Sequence, residues 1–266
     1  MTQAHPKFGL PMTTAEYAAE WQRSADAFSS AGHYRWMNEQ LGQAERVVEI
    51  GCGSGASTEA LVAAGRKVLS IESNQPALQS AISHLRGKGL DVDEMDRGQW
   101  GAGPPWAGAV VKLVNRDLFD TELDQFLPGQ SFDAIVCWMT GTHPEHIAQR
   151  LEVPYMEFDT SHMAEYRKKV QTRAYALGQK ILKRAGVVQV VDRAAIRSWS
   201  DKDQMRTDLA AAQAELSGQG FAIAKTDCFL RKLTDGLSQS SIQYVAHVPA
   251  TFEGVLVLTS SKARLV

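Results

Sequence analysis

Long apolar runs are missing from these 266 residues. No stretch approaches the roughly 18 consecutive apolar residues of a membrane-spanning helix. Cysteine is scarce: Cys52, Cys137 and Cys228 are three in number and far apart. A disulfide framework is therefore not expected, and a reducing, cytoplasmic compartment is. Neither sign of charge predominates, with 28 Lys+Arg against 30 Asp+Glu and a formal net charge of −2. That balance gives no field for nucleic acid or an anionic membrane. Internal repeats, low-complexity tracts and an interdomain linker are absent as well. The opening MTQAHPKFGLPMTT has a single lysine and no apolar run of about 7–15 residues, so it does not read as a signal peptide. What remains is ordinary globular usage, 44% hydrophobic and 22% charged. A chain of this length buries about three quarters of its unfolded surface and needs no metal or disulfide to fold. A homodimer is compatible with all of this.

Hydrophobic periodicity divides the chain. Thr13 and Glu16 are spaced as a capping box for a helix over about 14–29. Tyr17, Trp21, Ala25 and Phe28 stripe one of its faces. Strands are expected at 46–50, 67–72, 109–115, 132–138 and 187–191, separated by helices at 57–64, at 75–87 and over a long tract opened by Pro144. In that tract Tyr166, Val170, Ala174, Leu177 and Ile181 share a face, and Gly186 is read as its stop. Ser200 is read as the cap of a helix striped by Met205, Leu209, Ala212 and Leu216. The strand-rich ending covers 221–230, 242–248 and 254–260. Short apolar strands alternating with helices predict right-handed βαβ units, hence an α/β fold. The expected architecture is a doubly wound, mostly parallel sheet closed by an antiparallel hairpin, with helices on both faces. Residues 1–45 are read as an N-terminal helical lid and 46–266 as the main domain, with insertions near 91–108 and 143–163.

Chemistry concentrates after the first strand, in Glu49-Ile50-Gly51-Cys52-Gly53-Ser54-Gly55. Glycines let the backbone turn tightly and let a ligand approach the main chain without a Cβ in the way. The following helix start offers free N–H groups and partial positive charge. A tight strand-to-helix turn would explain the glycines equally. Glu72, closing the second strand, can accept hydrogen bonds from both hydroxyls of a ribose, or be simply solvated. Asp117, just past the third strand, can meet an adenine amino group or cap a helix turn before Thr121.

Taken in order, these features resemble class I S-adenosylmethionine-dependent methyltransferases over about 46–260. VVEIGCGSG is similar to that family's first motif, Glu72 to its second-motif acid and NRDLF to its third. Residues 132–138 match its fourth strand, and ILKRAGVVQVVDR looks like its final helix, Gly and fifth strand. The resemblance implies a Rossmann-like sheet of seven strands and S-adenosyl-L-methionine as cofactor, and it places Glu49 near the cofactor's methionine amino end. Gly51, Cys52, Gly53 and Gly55 would then line its backbone. Glu72 would take the ribose, Asp117 the adenine amino group and Leu118 the ring face, while Cys137 and Trp138 stand at the strand-four exit. A nicotinamide-binding domain wants G-x-G-x-x-G, with its last small residue at Ala56, and fits less well.

Methyl transfer needs positioning and desolvation more than a strong catalytic motif. A base is required only for a nucleophile that arrives protonated. No Asp/Asn-Pro-Pro-Tyr/Phe stands at the strand-four exit, which reads Cys137-Trp138-Met139-Thr140. No metal is assigned, since Asp192-Arg193 stands where metal-dependent catechol enzymes resemble one another in an Asp-Asn pair. His143 is the candidate base, or merely the cap of the helix starting at Pro144; His146 is a neighbouring alternative. Trp21, Tyr34, Trp106 and His146 are the expected substrate-binding side chains. The expected activity is methyl transfer to an oxygen or nitrogen of a small molecule. The alternatives are a non-catalytic module that binds S-adenosylmethionine or its demethylated product, and a nicotinamide-dependent dehydrogenase.

Overall fold

The β-branched run Arg46–Ile50 forms strand β1 and is parallel to β2 (Lys67–Glu72) on one side and to β5 (Phe132–Trp138) on the other. The computed structural model describes residues 13–95, 108–127, 129–233 and 254–266. From β2 the sheet continues through β4 (Val111–Asn115) to β3 (Val92–Met95) at the edge. From β5 it continues through β6 (Leu182–Ile196) to the antiparallel β9 (Val255–Leu265). The outer edge of β9 carries two short strands, β7 (Phe221–Ala222) near its end and β8 (Cys228–Lys232) further back. Strand order thus reverses between β1 and β5. In open α/β sheets such a switch point leaves a crevice outside the strands' carboxyl ends.

Alternation along β1 shows how one strand serves two layers. Val47 belongs to a core with α1 (Thr14–Ser30), α2 (His33–Glu39) and α3 (Ala56–Ala63). Val48 and Ile50 point into the opposite core with α5 (Leu123–Phe126), α6 (Pro144–Leu151) and α7 (Thr160–Ile181). A third cluster packs α4 (Gln75–Gly87) onto β3 and β4. Helices therefore cover both faces, as the sequence pattern predicts. The expected capping box is present: Thr13 Oγ1 accepts from the Glu16 N–H at 3.2 Å, and Glu16 Oε2 accepts from the Thr13 N–H at 2.8 Å. Ala25 and Phe28 of α1, with Tyr34 and Met37 of α2, are buried in the same cluster as Val47 and Val136. Arg66, just before β2, ties the loop after α2 to the body. Its guanidinium donates to the Asn38 side chain and to the carbonyls of Asn38, Gly42 and Ala44.

Several expectations change. The sheet has nine strands rather than seven among the described residues. β3 falls in the stretch 91–108, whose VDEM carries no apolar run because only one side of an edge strand is paired. The expected strand 221–230 is broken by a 3-10 turn at 225–227 into β7 and β8; the expected strand 242–248 lies outside the described residues. Gly186 does not end the long helix. α7 stops at Ile181, β6 starts at Leu182, and Gly186 sits in an irregularity where Phe132 pairs with Leu182 but Ala134 pairs with Val187. A Cβ on Gly186 would meet the Lys183 carbonyl at 2.9 Å, so close backbone approach is what requires glycine there. Among the described residues the last helix, α8 (Lys202–Ser217), is not capped by Ser200: Ser198 caps a 3-10 turn ahead of it. α8 meets α7 through polar groups: Gln213 accepts from Tyr175 Oη at 2.6 Å and donates to Gln171 at 2.9 Å.

Candidate functional site

At the carboxyl end of β1 the chain needs three left-handed residues in quick succession. Gly51, Gly53 and Gly55 have φ of +77°, +52° and +89°, which L side chains adopt only at a cost. Their surroundings differ. A Cβ on Gly53 would meet nothing within 4 Å, whereas one on Gly55 would press on Ala81 Cα of α4 at 3.1 Å. Gly53 therefore opens the loop toward space, and Gly55 brings α3 and α4 together.

Two carboxylates organise this loop. Glu72, at the end of β2, accepts from the Gly53 N–H at 3.0 Å and from the Asn74 N–H at 2.8 Å. Burial raises its pKa, while those backbone donors and that of Ser73 oppose the rise. Glu49 is 1% exposed. It accepts from Ser57 Oγ and Thr58 Oγ1 at 2.5 Å each, both in the first turn of α3, and from Ser70 Oγ at 2.6 Å. Desolvation raises its pKa and the hydroxyls oppose it. It braces the loop from behind and does not reach the cleft wall.

The cleft is open, its roughly 610 Å³ of free space including bulk solvent. Gly51, Cys52 and Gly53 form its floor and Glu72 with Asn74 one side. Tyr17, Trp21 and Ala25 of α1 and Tyr34 of α2 form its roof. Trp138 closes the end of β5, stacked on Tyr34 at 6.2 Å and 21°, with its indole N–H donating to Gln189 Oε1 at 2.9 Å. The chain then turns through Met139, a non-glycine residue at φ +53°, into Thr140 and Gly141. A Cβ on Gly141 would meet Trp21 Cζ2 at 3.1 Å and Tyr17 Oη at 3.3 Å, so α1 closes directly on the strand exit.

Past Glu72 and Thr140 the cleft runs into a slot lined by Asp117, Leu118, Arg116 and Tyr166. Asp117 Oδ2 accepts from Arg150 at 2.5 Å, its Oδ1 accepts from the Phe119 N–H at 2.9 Å, and Arg150 lies 4.2 Å over the Phe119 ring. On the other side of Gly141 a second recess is walled by α1, α6, α7 and the end of β6.

Of the residues singled out from sequence, the fold brings Gly51, Cys52, Gly53, Glu72, Trp138, Trp21 and Tyr34 to one cleft and Asp117 and Leu118 to its extension. Gly55 and Glu49 stand behind the loop. Cys137 is 1% exposed, in the core under β5. His146 is exposed on α6, and Trp106 lies outside the described residues. His143 is 2% exposed and is the N-cap of α6, its Nδ1 accepting from the Glu145 N–H at 3.3 Å. The helix cap alone accounts for that position. Residues that sequence reasoning passed over include Asn74, Thr140 and Gly141. Asn74 carried a signal, an Asn two residues before Pro76, and it does cap α4 through Ala77.

No family model matches the sequence. Two curated ubiquinone biosynthesis O-methyltransferases, from Stutzerimonas stutzeri and Aromatoleum aromaticum, are 36% and 41% identical to it over 59 residues. The chain spans only about a quarter of the length of these curated relatives, 22% of its own length against 25% of theirs. Among solved structures, the N-methyltransferase NodS from Bradyrhizobium japonicum in complex with S-adenosyl-L-homocysteine is similar at a TM-score of 0.45 and 13% identity. That overlap covers 89% of this chain and 87% of the other. A SAM-dependent methyltransferase from Methanosarcina mazei is similar at a TM-score of 0.43 and 13% identity, covering 86% and 95%. These two are likenesses of backbone shape. The sheet order and the glycine loop at its switch point are those of a Rossmann-like α/β fold.

Proposed function

We propose that this chain transfers the methyl group of S-adenosylmethionine to an oxygen or nitrogen of a small molecule. The observation that carries the reading is the Glu72 carboxylate, bonded to the Gly53 N–H above open space at the switch point of the sheet. The donor set fits the cofactor. Gly51 to Ser54 offer backbone to an amino-acid moiety, Glu72 offers acceptor lone pairs to ribose hydroxyls, and Leu118 with Asp117 offers an apolar face and an acceptor to a purine. S-adenosylmethionine supplies an electrophilic methyl carbon on a sulfonium. The chain supplies the rest: Glu72 and the loop fix the cofactor, while Tyr17, Trp21 and Tyr34 roof the cleft and exclude water. Because His143 is engaged at a helix cap, the reading favours an acceptor that arrives ready to react, a neutral amine or an already ionised oxygen.

A small acceptor, rather than nucleic acid, is supported by the net charge of −2 and by the closeness of α1 to Gly141. A reducing, cytoplasmic setting is supported by three free cysteines, all buried. The test is calorimetric binding of S-adenosylhomocysteine and NADH to the full chain, followed by release of labelled methyl groups to an acceptor panel. Homocysteine-product binding without NADH binding is expected, and Glu72→Ala should weaken it by about tenfold or more, the worth of hydrogen bonds to a charged group. NADH binding with no affinity for S-adenosylhomocysteine overturns the reading. Binding without transfer to any acceptor favours a cofactor-holding module.

A further inference from the structure

At the end of the sheet away from the cleft, the amino ends of β5 and β6 carry an open hollow of about 340 Å³. That volume is within the range of small-ligand sites. Its base is the irregularity at 183–187, where β6 leaves the register of β5 before Val187 pairs with Ala134. One wall is the turn after α2, residues 40–44, and the other is the last stretch of β9 with Lys262 and Arg264. Those two stand two residues apart and so share a face of the strand. Four cations, Lys183, Arg184, Lys262 and Arg264, line the hollow against a single carboxylate, Asp133, in a protein whose formal net charge is −2.

The one carboxylate is already engaged. Asp133 accepts from the Glu45 and Arg46 N–H groups at 3.0 and 2.8 Å and from Lys183 Nζ at 2.6 Å. Asp133 and Lys183 thus neutralise each other. Among the described residues, Arg184, Lys262 and Arg264 form no ion pair. Arg264 Nη1 donates to the Ala185 carbonyl at 3.3 Å, which holds the guanidinium beside the irregularity. Lys262 Nζ lies 5.2 Å from the centre of the Phe229 ring, and Arg184 is exposed. Three cations around one concavity repel one another, and an anion seated between them relieves that repulsion. The opposite wall is prepared for it. The carbonyls of Gly42 and Ala44, acceptors that would repel an anion, are taken up by the Arg66 guanidinium.

We propose that this hollow binds a small polyanion, a molecule carrying a chain of two or more phosphate groups. Arg184 and Arg264 grip its oxygens in two-point geometry, and Lys262 adds a point charge. Concavity and size favour a small molecule over a nucleic acid, whose repeating charge would meet a chain of net charge −2 beyond the hollow. The site is separate from the glycine-loop cleft and does not depend on the methyl-transfer reading.

The probe is tripolyphosphate, titrated calorimetrically into the full chain at fixed ionic strength, with orthophosphate as the short control. Tripolyphosphate is expected to bind at least about tenfold more tightly, the factor one further charge-assisted hydrogen bond contributes. Arg184→Gln and Arg264→Gln alter exposed side chains. Each should weaken tripolyphosphate binding by about tenfold and leave the thermal midpoint near that of the parent. Arg197→Gln removes the same charge from an exposed position past the other end of β6 and should leave the affinity unchanged. ATP separates the sources of the phosphate chain. Binding tighter than tripolyphosphate and lost in Arg184→Gln assigns a nucleotide; equal binding, weakened by the same variant, assigns the phosphate chain alone. Equal affinity for tripolyphosphate and orthophosphate, or no tripolyphosphate binding in the millimolar range, overturns the proposal. So does a loss in Arg197→Gln as large as that in Arg184→Gln, or tighter binding of oligodeoxythymidylate than of tripolyphosphate.

Discussion

Gly53 and Gly55 lie two residues apart on one loop, both left-handed, yet the structure assigns them opposite sensitivities. Alanine at Gly55 would adopt φ +89° and place its Cβ 3.1 Å from Ala81 Cα, 3.2 Å from Ala81 Cβ and 3.3 Å from the Ala81 carbonyl oxygen. The left-handed backbone costs about 1–2 kcal/mol for an L side chain. Forcing α4 away from the loop adds about 1–3 kcal/mol of overpacking. Gly55→Ala should therefore lose about 2–5 kcal/mol, which for a domain of this size lowers Tm by about 4–20 °C. Alanine at Gly53 has φ +52° and nothing within 4 Å of its Cβ, so only the backbone cost of about 1–2 kcal/mol applies. Its methyl group occupies cleft space above the floor, so it should weaken S-adenosylhomocysteine binding more than Gly55→Ala does. The assay is paired: urea unfolding for stability, and calorimetric titration of each variant at a temperature where it is fully folded. If Gly55→Ala unfolds with the parent protein, or is the variant that loses affinity more, the division of labour between the two glycines is wrong.

The buried Glu49 gives a pH prediction. Its folded pKa is raised above the ordinary 4.5, so the stability it contributes is full below the unfolded value and is lost as pH rises through the folded one. Glu49→Gln, whose amide cannot ionise and can still bond rotatable hydroxyls, should flatten the fall of the urea midpoint as pH rises above the ordinary carboxylate range. An unchanged slope in that variant removes Glu49 as its source. At the start of α6, His143→Ala should cost about 1 kcal/mol or more through the lost cap, while His143→Asn, whose Oδ1 replaces the Nδ1 acceptor, should recover most of it. Equal unfolding midpoints for the two variants would show that the cap is not what His143 does.

Much of the sheet was legible because its strands are buried on both faces and so read as continuous apolar runs. RVVEI, KVLSIE and FDAIVCW are strands at the expected residues. Periphery was less legible for a physical reason. β3 is an edge strand of four residues with two carboxylates, so it gains little from burial and gives no hydrophobic signal. At the join of α7 to β6, helix and strand abut with no turn residue between them. Leu182 serves as both helix cap and first strand residue, and the glycine that resembles a stop signal belongs to the irregularity after it. In α8 the apolar stripe suggested a greasy face, yet the buried contacts are Gln213 and Ser217, because α7 presents Gln171 and the Tyr175 hydroxyl there.

The site divides along the same line. Loop residues whose function follows from the main chain, Gly51, Gly53 and Glu72, could be found from spacing, since strand, turn and helix fix them relative to one another. Glu49 could not be placed by that logic. A carboxylate before a glycine loop can face the ligand or the helix behind, and three hydroxyls at Ser57, Thr58 and Ser70 draw it backward. Those hydroxyls are ordinary residues in a sequence and become a donor set only once α3 and β2 are docked. Arg167 and Arg193 are harder still. One sits mid-helix and the other near the end of β6, and only the sheet order that sets β6 beside β5 carries both to the recess beside Gly141. The recess beside Gly141 is thus assembled from long-range topology, while the glycine loop is assembled locally, and only the second is written contiguously in the chain.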